Sequence, residues 1–270
     1  MHGAVASDAS EGVWSARAGV AACGIAVMAK ASVAGRSKTR LVPPLTYREA
    51  AAFNTAFLQD VADNLRLAAR QASIAGYLAF GPPGSEQFFR DHVAGLDRIE
   101  AWLPNFGDCL HRAVEGVLAR GHASAVVLNS DSPTLPTSLL VETAQVLALP
   151  GDRAVLGPAT DGGYYLLGLK QAHARMFEGI AWSTSSVAEE TLARARELRL
   201  DVHVLAPWHD VDDIEALRAL HAELSGLHSF GPALLPNRAS HSAELIALLL
   251  RTTDLAQRLG SVPALEGAAV

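Results

Sequence analysis

The sequence Val126-Val127-Leu128-Asn129-Ser130-Asp131-Ser132-Pro133 ends a short apolar run in an aspartate, and a proline then prevents a strand from continuing. An apolar run bounded by turn residues is typical of a buried strand in a parallel sheet. We expect this strand to cover residues 125–130, with Asp131 at its carboxyl end, where open α/β sheets bind their ligands. A carboxylate at that point is well placed to hold a divalent cation against a phosphate.

Strands and helices alternate along most of the chain, which predicts βαβ units and a mainly parallel sheet. The predicted strands cover residues 24–28, 74–80, 99–103, 125–130, 153–158, 164–169 and 202–205. The predicted helices cover residues 47–70, 85–94, 107–120, 137–148, 184–198, 212–224 and 240–259.

This pattern predicts three regions along the chain. Residues 23–225 form one α/β domain, residues 1–22 a loosely ordered extension, and residues 226–270 a linker with a C-terminal helix. The sequence leaves open whether that helix packs on the core or on a second copy in a homodimer.

Composition and charge exclude several classes of function. The net charge of −6 argues against a nucleic-acid partner, because such partners favour basic surfaces. No apolar run approaches the roughly 18 residues that span a bilayer, and the N-terminal residues lack the pattern of a secretory signal. The two cysteines, Cys23 and Cys109, lie far apart without metal spacing. We therefore expect a cytoplasmic protein without a membrane or nucleic-acid partner.

A basic loop follows the first predicted strand. It carries Lys30, Arg36, Lys38 and Arg40 around a flexible Gly35, a composition that suits a polyphosphate ligand. The spaced glycines of a P-loop are missing. A solvated basic loop is the alternative, but the position after the first strand favours phosphate contacts, foremost from Lys38 and Arg40.

A second acidic site lies in Trp208-His209-Asp210-Val211-Asp212-Asp213. These acids repel one another unless a cation or a helix N-terminus offsets their charge. Asp212 or Asp213 can cap the helix that follows, which leaves at least one other acid available to Mg²⁺ or Mn²⁺. Asp131 has a similar alternative as a turn or helix cap, although Thr134 or Thr137 could take that role.

A third candidate is the block Gly157–Tyr165, in which Asp161 precedes Gly162 and Gly163. These residues could form a plain hairpin turn, or the glycines could let a sugar or an acceptor approach the backbone. Trp182-Ser183-Thr184-Ser185 is a weaker candidate, because Ser183 or Thr184 as a helix cap would explain it.

Taken together, these blocks resemble a bacterial family of small GT-A-like transferases. The family is known as arsenosugar-biosynthesis glycosyltransferases, or as transferases associated with radical-SAM/selenium-domain genes. The matching blocks run in order over residues 23–224: 29–41, Gly107-Asp108 with Arg112, 129–136, 157–169, 182–184 and 210–212.

The resemblance implies a GT-A-like, nucleotide-diphospho-sugar-transferase fold: three layers, α/β/α, with a mainly parallel central sheet. It further implies that Asp131 and Asp212 bind one Mg²⁺ or Mn²⁺ ion and that the basic loop faces the nucleotide phosphates. The expected catalytic acids are Asp131, Asp161 and Asp212. The expected ligand-binding residues are Lys30, Gly35, Lys38, Arg40, Ser130, Gly162 and Gly163.

Four positions depart from the family pattern: Ser32, Asn129, Thr134 and Asp213 stand where proline, glycine, aspartate and threonine are usual. They flank the expected site and leave its acids in place.

The expected activity is glycosyl transfer from a nucleotide-sugar donor to a small-molecule acceptor. The alternative is nucleotidyl transfer with release of pyrophosphate, because the related 2-phospholactate guanylyltransferase shares an Asp-Val-Asp block. A nucleotide-binding module without catalysis is the third reading.

Overall fold

A computed structural model describes residues 23–227 and 234–261. The strands are β1 (Cys23–Lys30), β2 (Ile74–Gly81), β3 (Asp97–Glu100), β4 (Ser124–Leu128), β5 (Arg153–Pro158), β6 (Tyr164–Leu169) and β7 (Asp201–Val204). The helices are α1 (Tyr47–Ala69), α2 (Glu86–His92), α3 (Phe106–Leu118), α4 (Thr137–Leu147), α5 (Val187–Glu197), α6 (Ile214–Leu224), α7 (Ser240–Thr252) and α8 (Leu255–Ser261). The predicted extension, residues 1–22, lies outside the described residues.

The seven strands form one sheet in the order β3-β2-β1-β4-β6-β5-β7. Strand β6 pairs antiparallel with β4 and β5, whereas the other neighbouring pairs are parallel. The predicted mainly parallel sheet is therefore confirmed, with β5 and β6 as a hairpin inside it. The turn of that hairpin lies at the same edge of the sheet as the carboxyl ends of β1, β2 and β4.

Helices cover the sheet on both sides. Helices α1 and α4 pack on one face, α3 and α5 on the other, and each face has its own apolar cluster. Strand β4 is buried along its whole length, as expected for a central strand covered on both faces. This is the predicted three-layer α/β/α architecture.

The C-terminal region was predicted as one helix over 240–259, and that prediction is wrong. The chain breaks after α7, where Thr253 is extended, with its hydroxyl donating to the Leu249 carbonyl and accepting from the Leu255 amide. Both α7 and α8 contribute to an apolar cluster with α1 and α6 of the same chain. Asp60 in α1 fixes the start of α7 by accepting from the amides of His241 and Ser242 at 2.8 and 2.9 Å.

Three of the element boundaries that differ from the prediction lie close to the site. Strand β4 ends at Leu128, so Asp131 follows it in a loop and does not end the strand itself. Helix α5 begins at Val187 and not at Thr184, and the turns before it include Ser183 with a left-handed φ of 65°. Strand β3 pairs residues 97–100 with 77–80, which leaves Trp102 in the loop that follows it.

Among the described helices, none is long and apolar enough to cross a membrane.

Candidate active site

A cleft of about 810 Å³ opens at the carboxyl ends of β1, β2 and β4. The following predicted site residues line it: Lys30, Lys38, Arg40, Ser130, Asp131, Asp161, Gly163 and Asp212. Residues more than 170 positions apart in sequence, such as Lys38 and Asp212, thus share one cavity. The structure brings most of the predicted site together.

Lys38 joins the two acids that were predicted to share a cation. Its Nζ lies 2.8 Å from Asp131 Oδ1 and 2.6 Å from Asp212 Oδ1, and it donates to the Val211 carbonyl at 2.9 Å. The Lys38 side chain is 5% exposed, whereas those of Asp131 and Asp212 are 29% and 42% exposed. The lysine is therefore a buried counter-ion beneath two carboxylates that face the cleft.

Burial alone would lower the pKa of Lys38, but the charges and hydrogen bonds of Asp131 and Asp212 outweigh it and raise the pKa. The ammonium also lies 5.6 Å from the centre of the Phe57 ring, a cation–π contact. The Lys38 backbone adopts a left-handed conformation with φ 49°, which non-glycine residues adopt only where their surroundings fix it. The prediction gave Lys38 to the nucleotide phosphates and did not anticipate its contacts with the acids.

Backbone pairing delivers the Asp210-Val211-Asp212 segment to the cleft. Trp208 pairs with Ala159 beyond the end of β5, and the Val211 amide donates to the Asp131 carbonyl at 2.8 Å. The loop after β4 and this segment therefore hold each other in place.

Asp213 is the helix cap of this region, so Asp210 and Asp212 have no capping role. Asp213 caps α6, since its Oδ1 accepts from the Ala216 amide at 2.8 Å. Helix α4 begins after Pro136 without a side-chain cap, so Asp131 has no capping role. Ser183 and Thr184 do not cap α5 either, because that position is Ser186.

Asp210 is a site residue that sequence reasoning did not select. It lines the cleft, and burial, followed by the negative charges of Asp212, Asp161 and Asp131, raises its pKa to about 6. The sequence could have indicated this residue, because Asp210 and Asp212 are two positions apart and therefore lie on the same side of an extended segment.

The three predicted residues of the hairpin turn, Asp161, Gly162 and Gly163, differ in their roles. Asp161 is exposed in the cleft, and its Oδ1 accepts from the Gly163 amide at 2.9 Å, the bond of an Asx-turn. A side chain on Gly162 would lie 2.1 Å from the Ser185 carbonyl oxygen. Gly162 is thus needed for packing against that loop and does not line the cleft, contrary to its predicted binding role.

The predicted ligand-binding residues of the basic loop also differ in their positions relative to the cleft. Gly35 has a φ of 79° in an open turn and does not line the cleft, so its predicted ligand contact is not supported. The Lys30 ammonium lies 5.3 Å from the centre of the Trp102 ring. Arg36 and Arg40 are exposed, and neither forms an ion pair within residues 23–227 and 234–261. These two guanidinium groups and the exposed Lys30 ammonium, which also has no ion pair among the described residues, are the loop cations free to meet a phosphate.

Ser32, one of the departures from the family pattern, has a structural explanation. Its hydroxyl accepts from Asn54 and contacts Thr55, each at 2.8 Å, and Asn54 also donates to the Lys30 carbonyl. The serine therefore anchors the start of the basic loop to α1.

The donor set fits a hard divalent cation. Asp131 and Asp212 contribute carboxylate oxygens that already lie against one positive charge, and Mg²⁺ typically takes one or two carboxylates together with water and substrate phosphates. In the described part of the chain, no group of three or more His, Cys, Asp or Glu side chains could hold a metal ion by itself. An ion here would need the phosphates of a ligand to complete its coordination.

Comparison with known proteins places the fold. A sequence model of a bacterial family, described as "Uncharacterized protein conserved in bacteria (DUF2064)", matches residues 64–184. That match leaves out the basic loop and the Asp210–Asp212 segment. No curated protein matches this chain.

A crystal structure from Desulfovibrio desulfuricans G20, provisionally described as a nucleotide-diphospho-sugar transferase, is 24% identical over 86% of this chain and 98% of its own, with a TM-score of 0.70. A cytidylyltransferase from Leptospira borgpetersenii is 11% identical over 90% and 99%, with a TM-score of 0.48. Of these two, the Desulfovibrio protein is similar enough to confirm the predicted GT-A-like fold. Neither match identifies an arsenosugar or selenium activity.

Proposed function

We propose that this protein is a metal-dependent transferase that acts on an activated nucleotide, and specifically a glycosyltransferase with a nucleotide-sugar donor. One observation carries the proposal: two cleft-facing carboxylates, Asp131 and Asp212, converge on the buried cation Lys38 where parallel strands end. Open α/β sheets bind ligands at this edge. The fold shared with the Desulfovibrio protein agrees with such a role.

The charges of the cleft suit a reaction that develops negative charge on phosphate oxygens. In glycosyl transfer, the bond between the anomeric carbon and the phosphate oxygen breaks, and its electrons remain on the departing nucleoside diphosphate. Arg40, exposed and without an ion pair among the described residues, is placed to bind that diphosphate. Preorganised positive groups at such a point are among the largest contributors to catalysis.

Asp131 and Asp212 would hold Mg²⁺ or Mn²⁺, which when bound supplies further positive charge to the phosphates. The acceptor hydroxyl forms the new bond to the anomeric carbon and must lose its proton. Asp161 is exposed in the cleft and has no ion pair among the described residues, so we assign it as the base that takes this proton.

Nucleotidyl transfer is the alternative that the same charges could serve. The first loop argues against it, since the glycine-rich signature usual in sugar nucleotidyltransferases is absent and Gly35 is the single glycine between Lys30 and Arg40.

Product analysis tests the proposal. The purified protein is incubated with Mg²⁺ and a panel of nucleotide sugars or nucleoside triphosphates, together with sugar and sugar-phosphate acceptors. Release of nucleoside diphosphate that depends on an acceptor supports glycosyl transfer, and release of pyrophosphate supports the alternative. Tight nucleotide binding without turnover of any donor would contradict both and favour a binding module.

Asp161→Asn provides the internal comparison for the base. We expect this variant to lose turnover while it keeps the parent's affinity for the nucleotide. Asp213→Asn serves as the matched control, because it removes an acid that caps α6 outside the cleft.

A further inference from the structure

The cleft has an aromatic wall, defined here as Trp102, Phe106, Tyr164 and Trp182. The chain has only four tryptophans, and two of them line this one cavity. Trp102 is 44% and Phe106 51% exposed. Exposed apolar surface gathered in a concave site is typical of ligand binding.

Three of the four rings of the wall, Phe106, Tyr164 and Trp182, meet edge to face and not in one plane. Phe106 and Trp182 are 5.2 Å apart at 87°, and Tyr164 and Trp182 are 6.4 Å apart at 76°. A flat nucleobase stacks best on a single ring face, whereas rings at steep angles form a curved surface that suits a puckered ring.

Two polar atoms of residues that line this cleft have no hydrogen-bond partner among the described residues: Asn129 Oδ1 and Tyr164 Oη. Leaving such a buried group unpaired costs about 1–3 kcal/mol, so each one calls for an explanation. Burial raises the pKa of Tyr164, which keeps its hydroxyl protonated and able to donate. Asn129 Nδ2 donates to Ser132 at 3.2 Å, which leaves the amide oxygen as an acceptor.

We propose that the aromatic wall, with Asn129 and Tyr164, is the subsite for a neutral, hydroxyl-bearing ring, the sugar of the donor. The apolar face of a pyranose packs on the rings, while its hydroxyls accept from Tyr164 and donate to Asn129. This inference rests on the proposed function, since it assumes that the diphosphate binds at the acidic end of the cleft.

Both polar atoms have almost no accessible surface, so the sugar reaches them only after a neighbouring ring rotates. The Trp182 ring packs against both Tyr164 and Phe106, and side-chain rotations of this kind are common on binding. Sugar binding should therefore change the fluorescence of Trp182.

The test compares UDP, GDP and dTDP with UDP-glucose, GDP-mannose and dTDP-glucose by titration calorimetry in Mg²⁺. We expect the parent to bind at least one nucleotide sugar more tightly than its diphosphate. Tyr164→Phe and Trp182→Leu should each reduce that nucleotide-sugar affinity about five- to tenfold and leave the affinity for the diphosphate within about twofold. Tyr47→Phe is the matched control, because Tyr47 is 55% exposed at the start of α1, outside the cleft.

An equal loss of affinity for the diphosphate would show that the wall contacts the base and would overturn the inference. The inference is also overturned if Tyr164→Phe and Trp182→Leu both bind the nucleotide sugar as tightly as the parent does. If the parent binds no nucleotide at all, the proposed function fails. The aromatic wall is then tested separately, by adding methyl glycosides at millimolar concentration and measuring the tryptophan fluorescence. A fluorescence change that Trp182→Leu abolishes then supports the subsite, and no change overturns it.

Discussion

Replacing Lys38 by methionine removes the positive charge between Asp131 and Asp212 and keeps most of the apolar stem. In the structure the ammonium contacts both carboxylates, at 2.8 and 2.6 Å. A divalent ion that binds these acids must therefore compete with the lysine. We expect Lys38→Met to bind Mn²⁺ more tightly than the parent when no nucleotide is present.

The size of the effects follows from burial. Breaking a fully buried ion pair costs about 3–5 kcal/mol, and exposed pairs contribute about 0–1 kcal/mol. Lys38 is 5% exposed, but water reaches both acids, so the cost to stability should lie between these limits at about 1–3 kcal/mol. Removal of a competing charge worth about 1.4 kcal/mol would raise the Mn²⁺ affinity about tenfold.

Titration calorimetry with Mn²⁺ and urea unfolding with and without Mn²⁺ measure these two quantities. The added metal should stabilise Lys38→Met more than the parent, because a ligand that binds only the folded state stabilises it more when it binds more tightly. Lys170→Met is the control for loss of one positive charge, since Lys170 is partly exposed outside the cleft and bonds only to the Leu149 carbonyl among the described residues. Mn²⁺ affinity in Lys38→Met that equals or falls below the parent's would refute the competition between lysine and metal.

Three further substitutions test local features. Gly162→Ala should lower the free energy of unfolding by at least about 2 kcal/mol, because its new Cβ would meet Ser185 at a residue with φ 92°; urea denaturation that matches the parent would contradict this. Burial works to raise the pKa of Glu49, but hydrogen bonds from Arg258 and the helix cap outweigh it and lower that pKa. The stability that the Glu49–Arg258 pair contributes is present above the unfolded pKa of about 4.3 and is lost as the pH falls through the folded pKa. Glu49→Gln should therefore flatten the acid side of a plot of unfolding free energy against pH. An unchanged slope would exclude the pair as its source. Asp213→Ala should cost about 1 kcal/mol by removing the cap of α6 while nucleotide affinity stays at the parent's value, and a loss of affinity would show that this acid reaches the ligand.

The sequence predicted the parts of the fold that depend on local pattern. The continuous apolar run of β4 and the helical spacing of α1 placed both elements within a few residues. The break between α7 and α8 escaped prediction, because Thr253 stops the helix through hydrogen bonds to its neighbours and not through a proline or glycine.

Most of the residues predicted for the site line the cleft, but the contacts between them were not predicted. The acids and cations were recognisable because charged residues clustered where strands end. The sequence could not show that Lys38 would pair with Asp131 and Asp212, because that contact joins segments that only the folded sheet brings together. Gly162 was misjudged for the same reason: its close neighbour, Ser185, lies on another loop.

The role of Asp131 is the central claim, and metal-dependent nucleotide binding tests it most directly. The parent, Asp131→Asn and the control Asp213→Asn are titrated with UDP, GDP and dTDP in the presence and absence of Mn²⁺. Mn²⁺ should raise the parent's affinity for at least one diphosphate about tenfold or more, equal to 1.4 kcal/mol, and Asp131→Asn should lose that gain. An Asp131→Asn variant that keeps the full gain would contradict the assignment of Asp131 as the residue that holds the metal on the phosphates.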